Sequence, residues 1–307
     1  MRKNALIITC YVCALGAFGA FFRWLQNQIC YDPVTGIMAK SMWNFLLPIA
    51  MLAAAAVFYM QIKNLLDRNL VPPMKLYDMF RGTTIVYPIV SWIVALIMVF
   101  GGLITITGLK YDEQSGLYTF IGFLAIISGL SFPLICTCSK RRFSPGFVSV
   151  MMTVPIIMFA LWLITSYRQN ATIASIWVYA VEILTLCACL TAFFFNAGYA
   201  YGKIKPIESL FFTMLAAFFC FMTMSDNRNT GLQLIICGSI GMLLTECWAI
   251  VGNMRNADDI ASEATEKNAP APELDDILRE AYELQSEATV SDDVDDDVKI
   301  WNGDKNK

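Results

Sequence analysis

Eight stretches of the chain are apolar over roughly 20 residues, the length that an α-helix needs to cross the hydrocarbon core of a bilayer. Short polar segments that contain turn-forming residues separate these stretches. The pattern predicts an all-α fold, that of a polytopic integral membrane protein with eight transmembrane helices in residues 1–253. The predicted spans are residues 5–25, 44–62, 84–106, 117–138, 147–166, 173–195, 207–225 and 232–253.

The composition agrees with a membrane protein and argues against most enzyme classes. Of the 307 residues, 57% are hydrophobic, and the mean hydropathy is +0.56, beyond the usual mix of a soluble globular domain. The sequence contains no histidine, which excludes a Ser-His-Asp triad, an HExxH zinc site and a His-ligated haem. It also contains no Walker A loop and no GxSxG elbow. We therefore expect no enzymatic activity.

Two closely spaced cysteine pairs, Cys136-x-Cys138 and Cys187-x-Cys189, raise the question of a soft-metal site. Side chains at positions i and i+2 of a helix point in different directions, so such a pair cannot chelate an ion unless the helix unwinds. We therefore interpret these cysteines as small, polarizable packing residues, and we predict no metal site and no cofactor.

The charges divide the chain into a basic and an acidic part. Residues 1–253 contain 16 Lys and Arg against 9 Asp and Glu, whereas residues 254–307 contain 6 against 16. Within the first part, eleven basic residues lie at the N-terminus and in every second loop, and five lie on the other side. The positive-inside rule then predicts that both termini are cytoplasmic. Cleavage of the first helix as a signal peptide is the alternative, and it leaves seven helices.

The acidic tail, residues 254–307, has the composition of a largely disordered segment. One amphipathic helix is predicted within it, at about residues 272–288. Its apolar face consists of Leu274, Ile277, Leu278, Ala281 and Leu284. The acidic polar face argues against an anionic membrane surface, so the predicted partner is a cytosolic protein. We expect no nucleic-acid partner.

The sixth predicted span, residues 173–195, carries a carboxyl group near its midpoint, Glu182. Steps of three or four residues through Glu182 collect the polar residues of this region on one helical face. They are Thr172, Ser175, Tyr179, Thr185, Cys189 and Asn196. A polar stripe of this kind is expected to face protein or water rather than lipid.

Glu182 is costly in the predicted position. A charge at mid-bilayer costs at least about 2.5 kcal/mol, and no predicted span contains an internal Lys or Arg to offset it. Arg23, near the outer end of the first helix, is expected to be too shallow for pairing. Glu182 is therefore predicted to be protonated much of the time, or to meet a cation or water. Two interpretations stay open: a proton, cation or ligand site, or a protonated group that hydrogen bonds between helices.

A second carboxyl group, Glu246, lies in the eighth predicted span, with Ser239 one heptad before it. This helix runs inward, so Glu246 is expected nearer the cytoplasm than Glu182. The two glutamates are candidates for successive stations of one relay; the alternative is that Glu246 reaches the interface and is solvated. The candidate ligand or ion path comprises Glu182, Tyr179, Ser175, Thr185, Glu246 and Ser239.

Two classes of function are compatible with these features. The leading hypothesis is transport of a small solute or ion across the bilayer, linked to a proton or cation through Glu182. The alternative is a non-transporting scaffold, assembly or sensor protein whose acidic tail binds a cytosolic partner.

One stretch carries a resemblance to known sequences. The residues Phe22-Arg23-Trp24-Leu25-Gln26 precede the segment Tyr31-Asp32-Pro33-Val34-Thr35-Gly36. This arrangement resembles the start of uncharacterised multi-span membrane proteins of bacterial genomes, over the first helix and its loop. The resemblance implies a bacterial cytoplasmic membrane as the location, and it implies no activity.

Overall fold

The fold is almost entirely helical. The computed structural model describes residues 2–30, 43–81, 86–108, 115–140, 145–171 and 177–257. These residues form, in chain order, α1 (Arg2–Ile29), α2 (Trp43–Leu66), β1 (Leu70–Val71), α3 (Leu76–Arg81), α4 (Val86–Gly108), α5 (Ser115–Lys140), α6 (Pro145–Asn170), α7 (Trp177–Tyr201), α8 (Pro206–Thr223), α9 (Thr230–Gly252) and β2 (Arg255–Asn256).

Eight of the helices, all except the short α3, are long and apolar enough to cross a membrane. The prediction of a polytopic all-α integral membrane protein with eight spans is confirmed. The bounds differ most in the sixth span, where α7 continues to Tyr201, beyond the predicted end at residue 195. The helix α3 lies in the basic connection between the second and third spans.

The long helices pack as a ring with two helices added outside it. Each of α4 to α9 packs against the next one in the chain, and α9 packs back against α4. The helix α1 lies against α8 and α9, and α2 lies against α1 and α8. The apolar span of α9 is 72% buried, whereas that of α2 is 22% buried. We conclude that α9 is the most enclosed of the eight spans and that α2 mostly faces lipid.

Small residues allow the closest helix contacts, as at the crossing of α4 and α5. A Cβ atom added at Gly102 would lie 2.6 Å from the carbonyl oxygen of Gly122, and one added at Gly122 would lie 2.9 Å from that of Gly102. Glycine at both positions therefore lets the two backbones approach each other, as is common in membrane helix pairs.

A short antiparallel strand pair joins the connection after α2 to the segment after α9. Leu70 pairs with Asn256 and Val71 pairs with Arg255, and Asn253 Nδ2 donates to the carbonyl oxygen of Met79 at 2.7 Å. We call this strand pair, β1 and β2, the clasp. Near it, a Cβ atom added at Gly252 would lie 3.7 Å from Cβ of Ala5. The start of α1 and the end of α9 thus lie at the same end of the bundle.

Several predicted features lie outside the described residues. These are the segment at residues 31–36 that carries part of the resemblance, the stripe positions Thr172 and Ser175, and the tail from residue 258 with its predicted helix (Leu274, Ile277, Leu278, Ala281, Leu284).

Candidate functional site

The polar stripe of α7 is turned toward α8 and α9, as the sequence predicted for a stripe that avoids lipid. Thr185, Cys189 and Asn196 are each at most 2% exposed. Polar residues of α8 and one carboxyl group of α9 meet them. We call this contact the polar seam; its members are Glu182, Thr185, Cys189 and Asn196 on α7, Ser209, Thr213, Cys220 and Thr223 on α8, and Glu246 on α9.

Four charged side chains close the seam at the end of the bundle away from the clasp. Arg23 Nε lies 2.8 Å from Asp226 Oδ1, and Arg228 Nη2 lies 3.2 Å from Asp226 Oδ2. Arg228 Nη1 in turn lies 3.1 Å from Glu182 Oε1. Asn27 Nδ2 also donates to Asp226, at 3.2 Å. Two positive and two negative groups give this ion cluster, Arg23, Glu182, Asp226 and Arg228, a net charge of zero.

The expectation that no Lys or Arg is placed to pair with Glu182 is wrong. The connection between α8 and α9 reaches Glu182 and supplies Arg228, whose Nη1 lies 3.1 Å from Glu182 Oε1. Arg23 is 2% exposed inside α1 and joins the same cluster through Asp226. A buried charge is tolerated when it is paired in this way.

The middle of the seam is narrow and uncharged. Thr185 Oγ1 lies 2.8 Å from Thr223 Oγ1, and it donates to the carbonyl oxygen of Val181 at 2.7 Å. One turn further, Cys189 Sγ lies 3.2 Å from Cys220 Sγ as a pair of free thiols. Further along the same face of α7, the next position is occupied by a buried alanine, Ala192, rather than by a polar residue. A layer of small side chains thus separates the ion cluster from the polar groups near the clasp.

Beyond this layer, Asn196 organises a second polar group. Its Nδ2 donates to Glu246 Oε2 and, at 3.1 Å, to Thr213 Oγ1. Its Oδ1 accepts from Ser209 Oγ and, at 3.3 Å, from Thr213 Oγ1. We call these residues, with Tyr199, the Glu246 cluster: Asn196, Tyr199, Ser209, Thr213 and Glu246. One amide side chain therefore connects three helices.

Two groups of the Glu246 cluster have unused hydrogen-bonding capacity. The buried Tyr199 hydroxyl has Ser209 as a polar neighbour, but in the part of the chain that the structure describes this contact lacks the geometry of a full hydrogen bond. Over the same residues, the recorded hydrogen bond of Glu246 uses Oε2 alone. A buried polar atom normally has a well-formed hydrogen bond, so the Tyr199 hydroxyl has capacity for a further partner.

Glu246 differs from Glu182 in its electrostatic surroundings. It is 5% exposed, and within the described ranges it forms no ion pair with Lys or Arg, in contrast to Glu182. It lies about 9 Å along α9 from the end of that helix at Gly252. Glu246 was predicted to be the shallower of two relay stations, with solvation as the alternative. The structure places it inside the bundle, near the end that carries the clasp.

The other predicted site residues do not join this cluster. Ser239 donates to the carbonyl oxygen of Ile235 at 2.7 Å and faces Met98 of α4, with Met98 Sδ 4.0 Å away. Tyr179 is half-buried, and Ser175 lies outside the described residues. Of the predicted path, Thr185, Glu182 and Glu246 therefore belong to the polar seam.

The site residues of α8 and of the connection that follows it were not predicted from the sequence. Ser209, Thr213, Cys220 and Thr223 are separated by four, seven and three residues, which is a helical face. All four are buried in the structure. This spacing was a usable signal. Asp226 and Arg228 carried no periodic signal because they lie in a connection between helices.

The chemistry available to the Glu246 cluster is that of oxygen donors around one carboxyl group. In the described residues, no group of three or more His, Cys, Asp or Glu side chains is arranged to hold a metal ion. Carboxyl, amide and hydroxyl oxygens suit protons, hard cations and hydrogen-bonding solutes.

Comparison of the chain with protein-family models, with curated proteins and with solved structures finds no match.

Proposed function

We propose that this integral membrane protein transports a small solute or ion, and that the Glu246 cluster is the proton- or cation-linked site. The observation that carries the proposal is a buried carboxyl group, Glu246, that has amide and hydroxyl neighbours but, among the residues that the structure describes, no basic partner. Intramembrane ionisable groups are costly, and they commonly mark proton or ion pathways.

The two ends of the polar seam have different roles in this proposal. Glu182 was the predicted proton or cation acceptor, but its carboxylate already has Arg228 at 3.1 Å. We therefore assign Glu182 to the closure of one end of the seam and Glu246 to binding. The thiol and alanine layer at Cys189 and Ala192 separates the two ends, as a carrier with alternating access requires in its resting state.

The basic loops give the proposed direction. By the positive-inside rule the clasp and both termini face the cytoplasm, so the Glu246 cluster is entered from the cytoplasm and the ion cluster closes the outer side. The membrane we propose is the bacterial cytoplasmic membrane.

The test is proton flux in proteoliposomes that contain the full-length protein and a trapped pH-sensitive dye. A panel of alkali ions, amino acids and small organic cations is added outside, one at a time. We expect at least one of them to change the internal pH faster than in empty liposomes. Glu246→Gln abolishes this response, because the amide neither binds nor releases a proton.

Glu208→Gln is the matched control, since Glu208 is an exposed carboxyl group in the first turn of α8, at the same end of the bundle. It removes the same charge and is expected to retain the flux. The proposal is wrong if wild-type and empty liposomes behave alike over the whole panel. It is also wrong if well-folded Glu246→Gln responds as wild type does.

The scaffold alternative has one specific observation in its favour. The clasp ties the first residues after α9 to the basic connection after α2, and Ala257 N donates to the carbonyl oxygen of Asn69 at 3.0 Å. The tail of this membrane protein thus starts from a fixed place. If the tail recruits a cytosolic protein, deletion of residues 270–288 abolishes the cellular function and Glu246→Gln is silent. The transport proposal expects the reverse pair of results.

A further inference from the structure

We propose that the Glu246 cluster is a sodium site, with ligands from α7, α8 and α9. This inference rests on the proposed transport function and names the ion that is linked to it. The proposed sodium ligands are side chains from three separate stretches of sequence, which the structure brings together.

The donor atoms suit a hard cation. The cluster combines two carboxyl oxygens of Glu246 with the amide oxygen of Asn196 and the hydroxyl oxygens of Tyr199, Ser209 and Thr213. Hard cations take carboxylate, carbonyl and hydroxyl oxygens rather than sulfur or nitrogen. Ser209 and Thr213 are 0% exposed and Asn196 is 2% exposed, so the packing of three helices holds these donors in place.

The charge of the cluster favours a monovalent ion. Glu246 is its one carboxyl group, and among the described residues no Lys or Arg pairs with it. A single positive charge neutralises the carboxylate, whereas a divalent ion leaves an unpaired charge in apolar surroundings, which is costly. Ser209 and Thr213 are 0% exposed and Glu246 is 5% exposed, and a site packed this tightly accommodates the smaller sodium ion better than potassium.

The hydrogen bonds that the structure contains describe the ion-free form. Asn196 presents its amide nitrogen to Glu246 and Thr213, and a half-turn of the amide group presents Oδ1 in its place. The hydroxyl groups of Ser209 and Thr213 donate to Asn196, and rotation of their hydrogen atoms frees lone pairs for an ion. Tyr199, whose buried hydroxyl has Ser209 as a polar neighbour and no well-formed hydrogen bond among the described residues, completes the ligand set.

The test is thermal unfolding of the purified full-length protein, followed by the fluorescence of its 7 tryptophans. Sodium chloride is titrated against choline chloride at constant ionic strength, and potassium chloride is run in parallel. A ligand of the folded state raises the midpoint, by about 5 °C at a hundredfold excess over its dissociation constant for a chain of this size. We expect this rise with sodium and not with potassium or choline.

Three variants locate the ion. Glu246→Gln is expected to lose the sodium-dependent rise, and the exposed control Glu208→Gln to keep it. Since Glu246→Gln also changes a packed core, Ser209→Ala provides a milder perturbation. We expect it to weaken sodium affinity at least about tenfold, because loss even of a group that only hydrogen bonds to a metal ligand typically has an effect of that size. Equal shifts with sodium, potassium and choline in the wild type overturn the proposal. A full sodium response in folded Glu246→Gln also overturns it.

The liposome assay separates this inference from the proposed function. If sodium binds but no member of the panel produces flux, the sodium site stands and the transport proposal fails. If flux occurs and is the same in sodium and choline buffers, and sodium produces no shift, transport stands as a proton-linked process and the sodium site fails.

Discussion

The ion cluster allows one sharp prediction, because its four charges sum to zero. The substitution Arg228→Met keeps a long aliphatic side chain at this position but removes its positive charge. Glu182 then has no basic partner in the described parts of the chain, and Asp226 retains Arg23 at 2.8 Å. The cluster acquires a net charge of −1 in a site where the side chains of Arg228 and Glu182 are only 10% and 15% exposed.

The expected cost follows from the distances and the burial. At an effective dielectric constant of about 20, each ion pair near 3.1 Å is worth about 5 kcal/mol before desolvation is subtracted. Removal of one partner of a fully buried pair costs about 3–5 kcal/mol, and partial exposure lowers the figure to about 2–3 kcal/mol. At about 2–4 °C per kcal/mol, the melting temperature in detergent is expected to fall by about 5–10 °C.

A second substitution makes the reasoning refutable. Glu182→Gln restores neutrality when it is added to Arg228→Met, so the double variant is expected to be about 1–2 kcal/mol more stable than Arg228→Met alone. Arg168→Met is the control, because Arg168 is an exposed arginine at the same end of the bundle, and it is expected to be neutral. An Arg228→Met protein as stable as the control, or a double variant that is less stable than Arg228→Met, refutes the account.

Three further outcomes follow from packing and hydrogen bonding. Asn196→Leu removes the amide that joins three helices and leaves Glu246 without its hydrogen bond, so we expect a loss of about 2–4 kcal/mol in denaturant unfolding. Gly231→Ala places a Cβ atom 2.6 Å from a backbone nitrogen of α4, so we expect the free energy of unfolding to fall by about 1–3 kcal/mol. The control is Gly116→Ala, which has open space around it. We expect this control to lower the melting temperature by no more than about 1 °C. Asn69, which directly precedes strand β1 of the clasp, has φ of 55°, so a β-branched residue is disfavoured there. Asn69→Val is therefore expected to speed amide hydrogen exchange in the clasp. Unchanged exchange contradicts a role of the Asn69 backbone conformation in holding the clasp.

The fold was largely predictable because membrane spans depend on local composition. A bilayer requires about 20 apolar residues for each helix, whatever the neighbouring helices are, and the eight spans satisfy that condition in the sequence. The polar face of α7 was predictable for a similar reason, since a period of three to four residues is a property of one helix. The surroundings of Glu182 were misjudged because its partner Arg228 lies in a connection between two other helices, where no periodic pattern points to it.

What the sequence determined by itself is the class of protein, the number of spans and the presence of two costly carboxyl groups. Only the tertiary structure decided which of them is paired. Arg228 reaches Glu182 from a connection between two other helices, and Asn196 reaches Glu246 across the end of α8. Periodicity describes which residues share a face, whereas an ion pair depends on which faces meet and at what depth. That depends on the packing of distant segments.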